Sequence, residues 1–153
     1  MYLKILKSIL PSILFLVLVD YISSYITPKK VVHEYPSSEY FEYDPLQMWK
    51  LIPGYNDQII SISDQGFRDH PFSEDDENKK RIFLVGGSTV FGLGVLDEQT
   101  IAAYLQQLLS IYDSSYHVIN AGVTAYYSTQ ELIHIQRNIV RYQPEMVISL
   151  SGR

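Results

Sequence analysis

The chain has 153 residues, room for one domain of ordinary size, and its 46% hydrophobic and 19% charged content excludes global disorder. A net charge of -5 with scattered Lys and Arg argues against a nucleic-acid partner, because phosphate binding needs a basic surface. With no cysteine, disulfides, thiolate metal sites and a cysteine nucleophile are excluded, and His33, His70, His117 and His134 show no metal-ligand spacing, so no metal or cofactor is expected.

Residues 1–26 read as an export or anchoring segment. Lys4 and Lys7 precede an uncharged apolar stretch from Ser8 to Val19, and extending it to Ile26 gives nineteen residues at the cost of one charge, Asp20. About 20 apolar residues span a bilayer. Tyr2, Tyr21 and Tyr25 flank the run as interfacial aromatics do, and Pro11 is tolerable near the helix entry. The expectation is a single-pass N-terminal transmembrane helix with the rest of the chain outside the cytoplasm. The alternative is a signal peptide cleaved near Ile22 and Ser24, releasing a secreted protein. Lys29 and Lys30 nearly balance Lys4 and Lys7, so orientation rests on the short basic start.

Residues 27–80 read as a linker and lead-in segment. Pro28, Pro36, Pro45, Pro53 and Pro71 punctuate it, with Pro53-Gly54 as a turn signal. A short strand is expected over Ile59-Ile60-Ser61-Ile62, followed by a turn at Asp64-Gln65-Gly66. Tyr35, Tyr40, Tyr43, Tyr55 and Trp49 suit either a carbohydrate-stacking surface or, the preferred reading, packing of this segment onto the domain. The run Glu74-Asp75-Asp76-Glu77, followed by Lys79-Lys80-Arg81, reads as a solvated loop.

Residues 81–153 alternate strands and helices. Ile82-Phe83-Leu84-Val85 is a continuous apolar run of the kind buried on both faces of a parallel sheet. Asp97 offers an N-cap for a helix whose stripe is Ile101, Leu105, Leu108 and Tyr112, widened by Ala102 and Leu109. Tyr116 to Asn120 reads as a second strand. Ser128-Thr129-Gln130-Glu131 reads as a capping box opening a second helix with Leu132, Ile135 and Ile139 on its apolar side; Pro144 stops it, and Met146 to Leu150 is a third strand. Strand–helix–strand–helix–strand implies right-handed crossovers and an α/β fold with a parallel sheet.

Ligands of such sheets bind at the carboxyl ends of the strands. Gly86-Gly87-Ser88-Thr89, Asn120-Ala121-Gly122 and Ser151-Gly152-Arg153 all lie there. The glycine-serine loop is not a phosphate-binding P-loop, since no lysine follows Arg81. Nor is it a dinucleotide fingerprint, because Asp97 stands where Gly92-Leu93-Gly94 would need its third glycine. The Gly-x-Ser-x-Gly elbow also fails, at Val90. Taken alone, the loop fits a strand-to-helix turn with a serine cap equally well.

The ordered set resembles the SGNH/GDSL hydrolases over roughly residues 64 to 153. It comprises Gly86-Gly87-Ser88-Thr89, Phe91-Gly92-Leu93-Gly94-Val95, Asn120-Ala121-Gly122-Val123, Gln130-Glu131-Leu132 and a third strand ending in Ser-Gly-Arg. Gln65-Gly66-Phe67-Arg68-Asp69 is similar to a lead-in of exported members. The resemblance implies a flavodoxin-like three-layer sandwich and hydrolysis of acyl esters. Ser88 matches the nucleophile, with Gly87 where many members have aspartate; Gly122 matches the glycine whose amide donates to the oxyanion. Gly152 and Arg153 match the start of a Gly-x-Asn-Asp block whose asparagine, a third donor, would be the next residue.

The family's base lies in an Asp-x-x-His block, and no such pattern occurs here. His117 reads as a strand residue, His134 as lying on a helix flank and His70 as a loop residue. The expectation is therefore a fragment of a longer hydrolase, with little or no activity as written. Three readings stand: an exported, membrane-anchored esterase acting on an acylated small molecule, lipid or glycan; an O-acyltransferase using the same serine; and a non-catalytic tethered binding module.

Overall fold

A computed structural model of the chain describes residues 11–19, 21–22, 38–68 and 79–151. The chain divides into two compact units, Met1–Pro36 and Ser37–Arg153. In the first, helix α1 is described over residues 11–19 and 21–22, with Ile13, Leu14, Phe15 and Leu16 exposed. Among the described residues no helix is long and apolar enough to cross a membrane. Lys4, Lys7, Asp20 and Tyr25, which define the expected anchor, lie outside the described residues.

The second unit is built on three parallel strands, β3 (Lys80–Gly86), β4 (Tyr116–Asn120) and β5 (Met146–Leu150), in the order β4-β3-β5. That order, with the first strand central, is how a flavodoxin-like sheet begins. Alternation along the strands separates two cores. Ile82, Leu84 and Val118 pack against Val90, Ala102, Leu105 and Leu109. Phe83, Val85 and Ile119 pack against Phe67, Ile139 and Tyr142. Helices thus cover both faces, which makes three layers.

Helix α3 (Ile101–Tyr112) shows the expected span but a rotated stripe. Ala102, Leu105 and Leu109 face the sheet, whereas Ile101, Leu108 and Tyr112 are exposed. The i, i+3, i+7 set around Ala102 wins because its small side chain lets the helix approach the sheet closely. Asp97 does not cap this helix. Thr100 does, accepting the Ala103 N–H at 3.2 Å, while the Asp97 carboxylate takes the Arg68 Nε–H and the Ser61 N–H.

Helix α4 (Ser128–His134) starts on a different cap from the one the sequence suggests. Tyr127 is the N-cap residue, and its N–H donates to Gln130 Oε1 at 3.0 Å. Glu131, the expected capping carboxylate, turns inward and is buried. The helix continues through a π-helical turn (Ile135–Ile139) and a 3-10 turn (Val140–Tyr142) before Gln143, whose left-handed φ of 49° ends it ahead of Pro144.

Between Ser38 and Arg68 lies an antiparallel hairpin, β1 (Phe41–Asp44) and β2 (Met48–Leu51), followed by irregular chain. Asp44 Oδ1 accepts the N–H groups of Leu46 and Gln47 and so shapes the connecting turn. The expected strand at 59–62 is reduced to isolated bridges, Asn56 with Ser61 and Ile62 with Arg68. Asp57 Oδ1 binds the N–H groups of both Ile59 and Ile60 and bends the chain there. The aromatic residues of this segment mainly pack. Tyr40 stacks on Phe91 with ring centroids 5.5 Å apart, and Trp49 Nε1–H donates to the Thr124 carbonyl; Tyr43 alone of these is fully in solvent, 79% exposed.

Candidate active site

Ser88 is the first residue of a single-turn helix, α2 (Ser88–Phe91), that leaves the carboxyl end of β3. The chain can turn so tightly because Gly86 has no side chain. A Cβ there would lie 2.5 Å from Val90 Cγ2 and 2.8 Å from the Leu150 carbonyl oxygen. The turn ends at Gly92, in the left-handed conformation at φ 82°. Ser88 is exposed, and its Oγ makes no hydrogen bond with any described residue.

Two cavities share Ser88 and Thr89. One, of about 170 Å³, is completed by Gly87, Ala125, Tyr126, Tyr127 and Leu150. The other, of about 300 Å³, is completed by Gly92, Leu93, Val95, Gln99, Thr100 and Ile101. Ala125 holds a left-handed φ of 61°, a strained backbone for a residue with a Cβ.

Gly122 lies in the loop after β4, against the backbone of α2. A Cβ on it would stand 2.3 Å from the Phe91 nitrogen. Its N–H donates to Asn120 Oδ1 at 3.0 Å, so that amide is engaged within its own loop. Structurally, Gly122 is where β4's loop and the Ser88 turn come into backbone contact. Gly152 and Arg153 lie outside the described residues, as do His33 and His70.

Neither described histidine is bonded to Ser88. His117 is in β4. His134 is buried rather than on a helix flank, because the hairpin covers it. Its Nδ1 faces Gln47 Nε2 at 3.1 Å and Asn138 Nδ2 at 2.9 Å; both are amide donors, so Nδ1 is an acceptor and the ring is neutral. Burial pushes its pKa down to about 4. Gln47 also donates to Tyr126 Oη, and Tyr126 Oη–H donates to the Trp49 carbonyl. Burial, with the nearby Asp44 charge, pushes the Tyr126 phenol up, so it stays a neutral donor. For Asp44 burial acts upward, but the Gln47 and Leu46 N–H groups and Arg137 outweigh it and hold the carboxyl below its usual range.

Sequence reasoning passed over two buried charged groups here. Glu131 Oε2 accepts Ser149 Oγ–H at 3.2 Å and Ser151 Oγ–H at 2.5 Å, at the carboxyl end of β5. Arg68 is fully buried and spends its donors around the segment that follows Ser88. A buried side chain in an irregular, proline-punctuated lead-in carries no periodic signal; its only trace is the Gln65-Gly66-Phe67-Arg68-Asp69 motif.

No family model matches the chain, and no curated protein matches it. Among solved structures it is similar to the crystal structure of TesA, at 26% identity and a TM-score of 0.45. The overlap covers 48% of this chain and 41% of that one, so the chain spans less than half of the structure it matches.

Proposed function

We propose that the chain carries the nucleophile-bearing part of a serine hydrolase of the SGNH/GDSL type, acting on acyl esters with Ser88 as nucleophile. The observation that supports this most is the placing of Ser88. It stands exposed on a strand-to-helix turn at the carboxyl end of the central strand, between two cavities and beside a loop held by Gly122. A serine hydroxyl attacks a carbonyl only when a base takes its proton, and the oxyanion then needs preset N–H donors. In this reading the Ser88 N–H is one donor. The Gly122 N–H is a second once it leaves Asn120, a small backbone movement on substrate binding.

The base is a residue outside those described. The apolar run near the N-terminus supports tethering to a membrane, with the site on the extracytoplasmic side. The substrate is an acylated small molecule, lipid or glycan.

The test is labelling of the native protein with a fluorophosphonate probe, together with hydrolysis of 4-nitrophenyl acetate, in wild type and Ser88→Ala. Loss of both signals in the variant supports the reading. Equal turnover by the variant overturns the nucleophile, and absence of any labelling in wild type favours a binding module that keeps the fold without the chemistry.

A further inference from the structure

The lead-in motif is unexplained by a nucleophile and its oxyanion donors, yet its arginine is the bulkiest fully buried side chain among the described residues. A guanidinium offers five N–H donors in a rigid fork and accepts nothing. Arg68 places all of them. Nε–H donates to Asp97 Oδ1 at 2.8 Å; Nη1 donates to the carbonyls of Phe91 at 2.7 Å and Gly92 at 2.5 Å; Nη2 donates to those of Val95 at 2.6 Å and Ile59 at 3.3 Å. Its plane also lies over the Phe91 ring, 4.8 Å from the centroid.

Three of those four carbonyls belong to the few residues directly after Ser88. On the other side of the same peptides, the N–H groups of Gly92 and Leu93 both donate to the Ser88 carbonyl, at 2.9 and 3.0 Å. Two consecutive peptide planes, Phe91–Gly92 and Gly92–Leu93, therefore give their oxygens to Arg68 and their hydrogens to Ser88. Gly92 must lack a side chain for this to work, since a Cβ there would meet Arg68 Nη1 at 3.2 Å and Thr100 Cγ2 at 2.8 Å.

We propose that Arg68 is a positioning residue for Ser88, gripping the two peptide planes that close on the serine's carbonyl and so fixing the turn from which its hydroxyl and N–H project. The role as a catalytic positioner rests on Ser88 being the nucleophile; the grip on the turn does not. A lysine cannot reproduce it, because one ammonium cannot reach carbonyls on both sides of the fork together with Asp97. The lead-in segment is thereby a working part of the site, reaching it from a position earlier in the chain than the sheet.

The experiment compares Arg68→Met, Arg68→Lys and Asp97→Asn in the native protein, using amide hydrogen exchange and the saturation kinetics of fluorophosphonate labelling at Ser88. Arg68→Met should speed exchange of the Gly92 and Leu93 amides at least roughly tenfold while β3 and β4 amides stay within about twofold, since only a local opening is released. The maximal labelling rate should fall by roughly ten- to a hundredfold at unchanged half-saturation, as expected when a reacting group is misplaced. Arg68→Lys should fall between Met and wild type on both measures. Asp97→Asn, which leaves the carbonyl bonds in place, should stay within about threefold of wild type in labelling. If Arg68→Met fails to fold, the lysine and asparagine variants carry the same comparison. Uniform acceleration across the sheet, or a loosened turn with undiminished labelling, overturns the proposal. If wild-type Ser88 does not label at all, the nucleophile reading falls, and the exchange pattern alone decides whether Arg68 holds the turn.

Discussion

Asn120 fastens Gly122 to the Ser88 turn: its side-chain carbonyl accepts the Gly122 N–H at 3.0 Å while its amide donates to the Phe91 carbonyl at 3.3 Å. Phe91 is also held by Arg68, so one fully buried chain of bonds runs from the lead-in through the α2 turn to the loop after β4. Replacing Asn120 by leucine keeps the branched side-chain shape and leaves the Gly122 N–H without its acceptor, while the Phe91 carbonyl keeps Arg68. A buried group left unpaired costs about 1–3 kcal/mol. Asn120→Leu should lower stability by that order in urea unfolding, with the Gly122 amide losing its exchange protection first.

Gly122→Ala tests the close approach itself. With 2.3 Å between the added Cβ and the Phe91 nitrogen, the loop and α2 must separate. Overpacking of this kind costs about 1–3 kcal/mol, so a lowered midpoint in thermal unfolding is expected, with labelling of Ser88 reduced along with it. An unchanged midpoint would mean that the loop yields freely.

Stability should fall in mild acid. The folded His134 pKa, about 4, lies below the ordinary value of 6.5, so the unfolded chain binds the extra proton between them. The contribution is fully present above about pH 6.5 and is lost as pH drops toward 4, in total on the order of 3 kcal/mol. A protonated ring also turns Nδ1 into a donor facing the amide donors of Gln47 and Asn138, which unlatches the hairpin. Trp49 is the sole tryptophan, and its emission should shift red over that range. His134→Gln, which does not titrate, should flatten the dependence; an unaltered acid transition in this variant would assign it to other groups.

Glu131 anchors the end of β5. In Glu131→Ala the hydroxyls of Ser149 and Ser151 lose their acceptor, and exchange of the amides at 149–151 should quicken while α3 and β4 stay protected. Glu131→Gln keeps a carbonyl acceptor and should restore part of that protection. Equal exchange in the alanine variant and wild type would show that β3 pairing alone holds the strand.

The regular half of the molecule was largely legible beforehand, because burial imposes period on a sequence. The runs 116–120 and 146–150 are the strands of the structure, and Ile101–Tyr112 is the helix. Which face of that helix turns inward was not legible, since Leu105 and Leu109 belong to either stripe and only the sheet's demand for close approach selects Ala102. Caps were misplaced for a related reason. Asp97 and Glu131 each have a stronger engagement through space, with Arg68 and with Ser149 of β5 and Ser151 just after it, and the local capping role passes to Thr100 and Gln130. Around Ser88, the glycines announce a tight turn in the sequence; the buried arginine bonded to it leaves only the trace of the Gln65–Asp69 motif, because most of its partners are backbone carbonyls that any residue supplies.

The latch of the hairpin has a temporal side. Gln47 bonds Tyr126, His134 and Asn138, partners 79, 87 and 91 residues further along the chain. On a ribosome, the hairpin therefore emerges long before the helix it docks on, and its apolar face with Tyr40 and Leu51 must wait exposed until Asn138 has been made. Contacts of such separation form late and slowly. Docking of residues 38–51 is thus expected to be a closing event of folding, trailing the formation of the β3–β4 pair, and the interval before it is when this chain is most open to mispairing or capture by a chaperone.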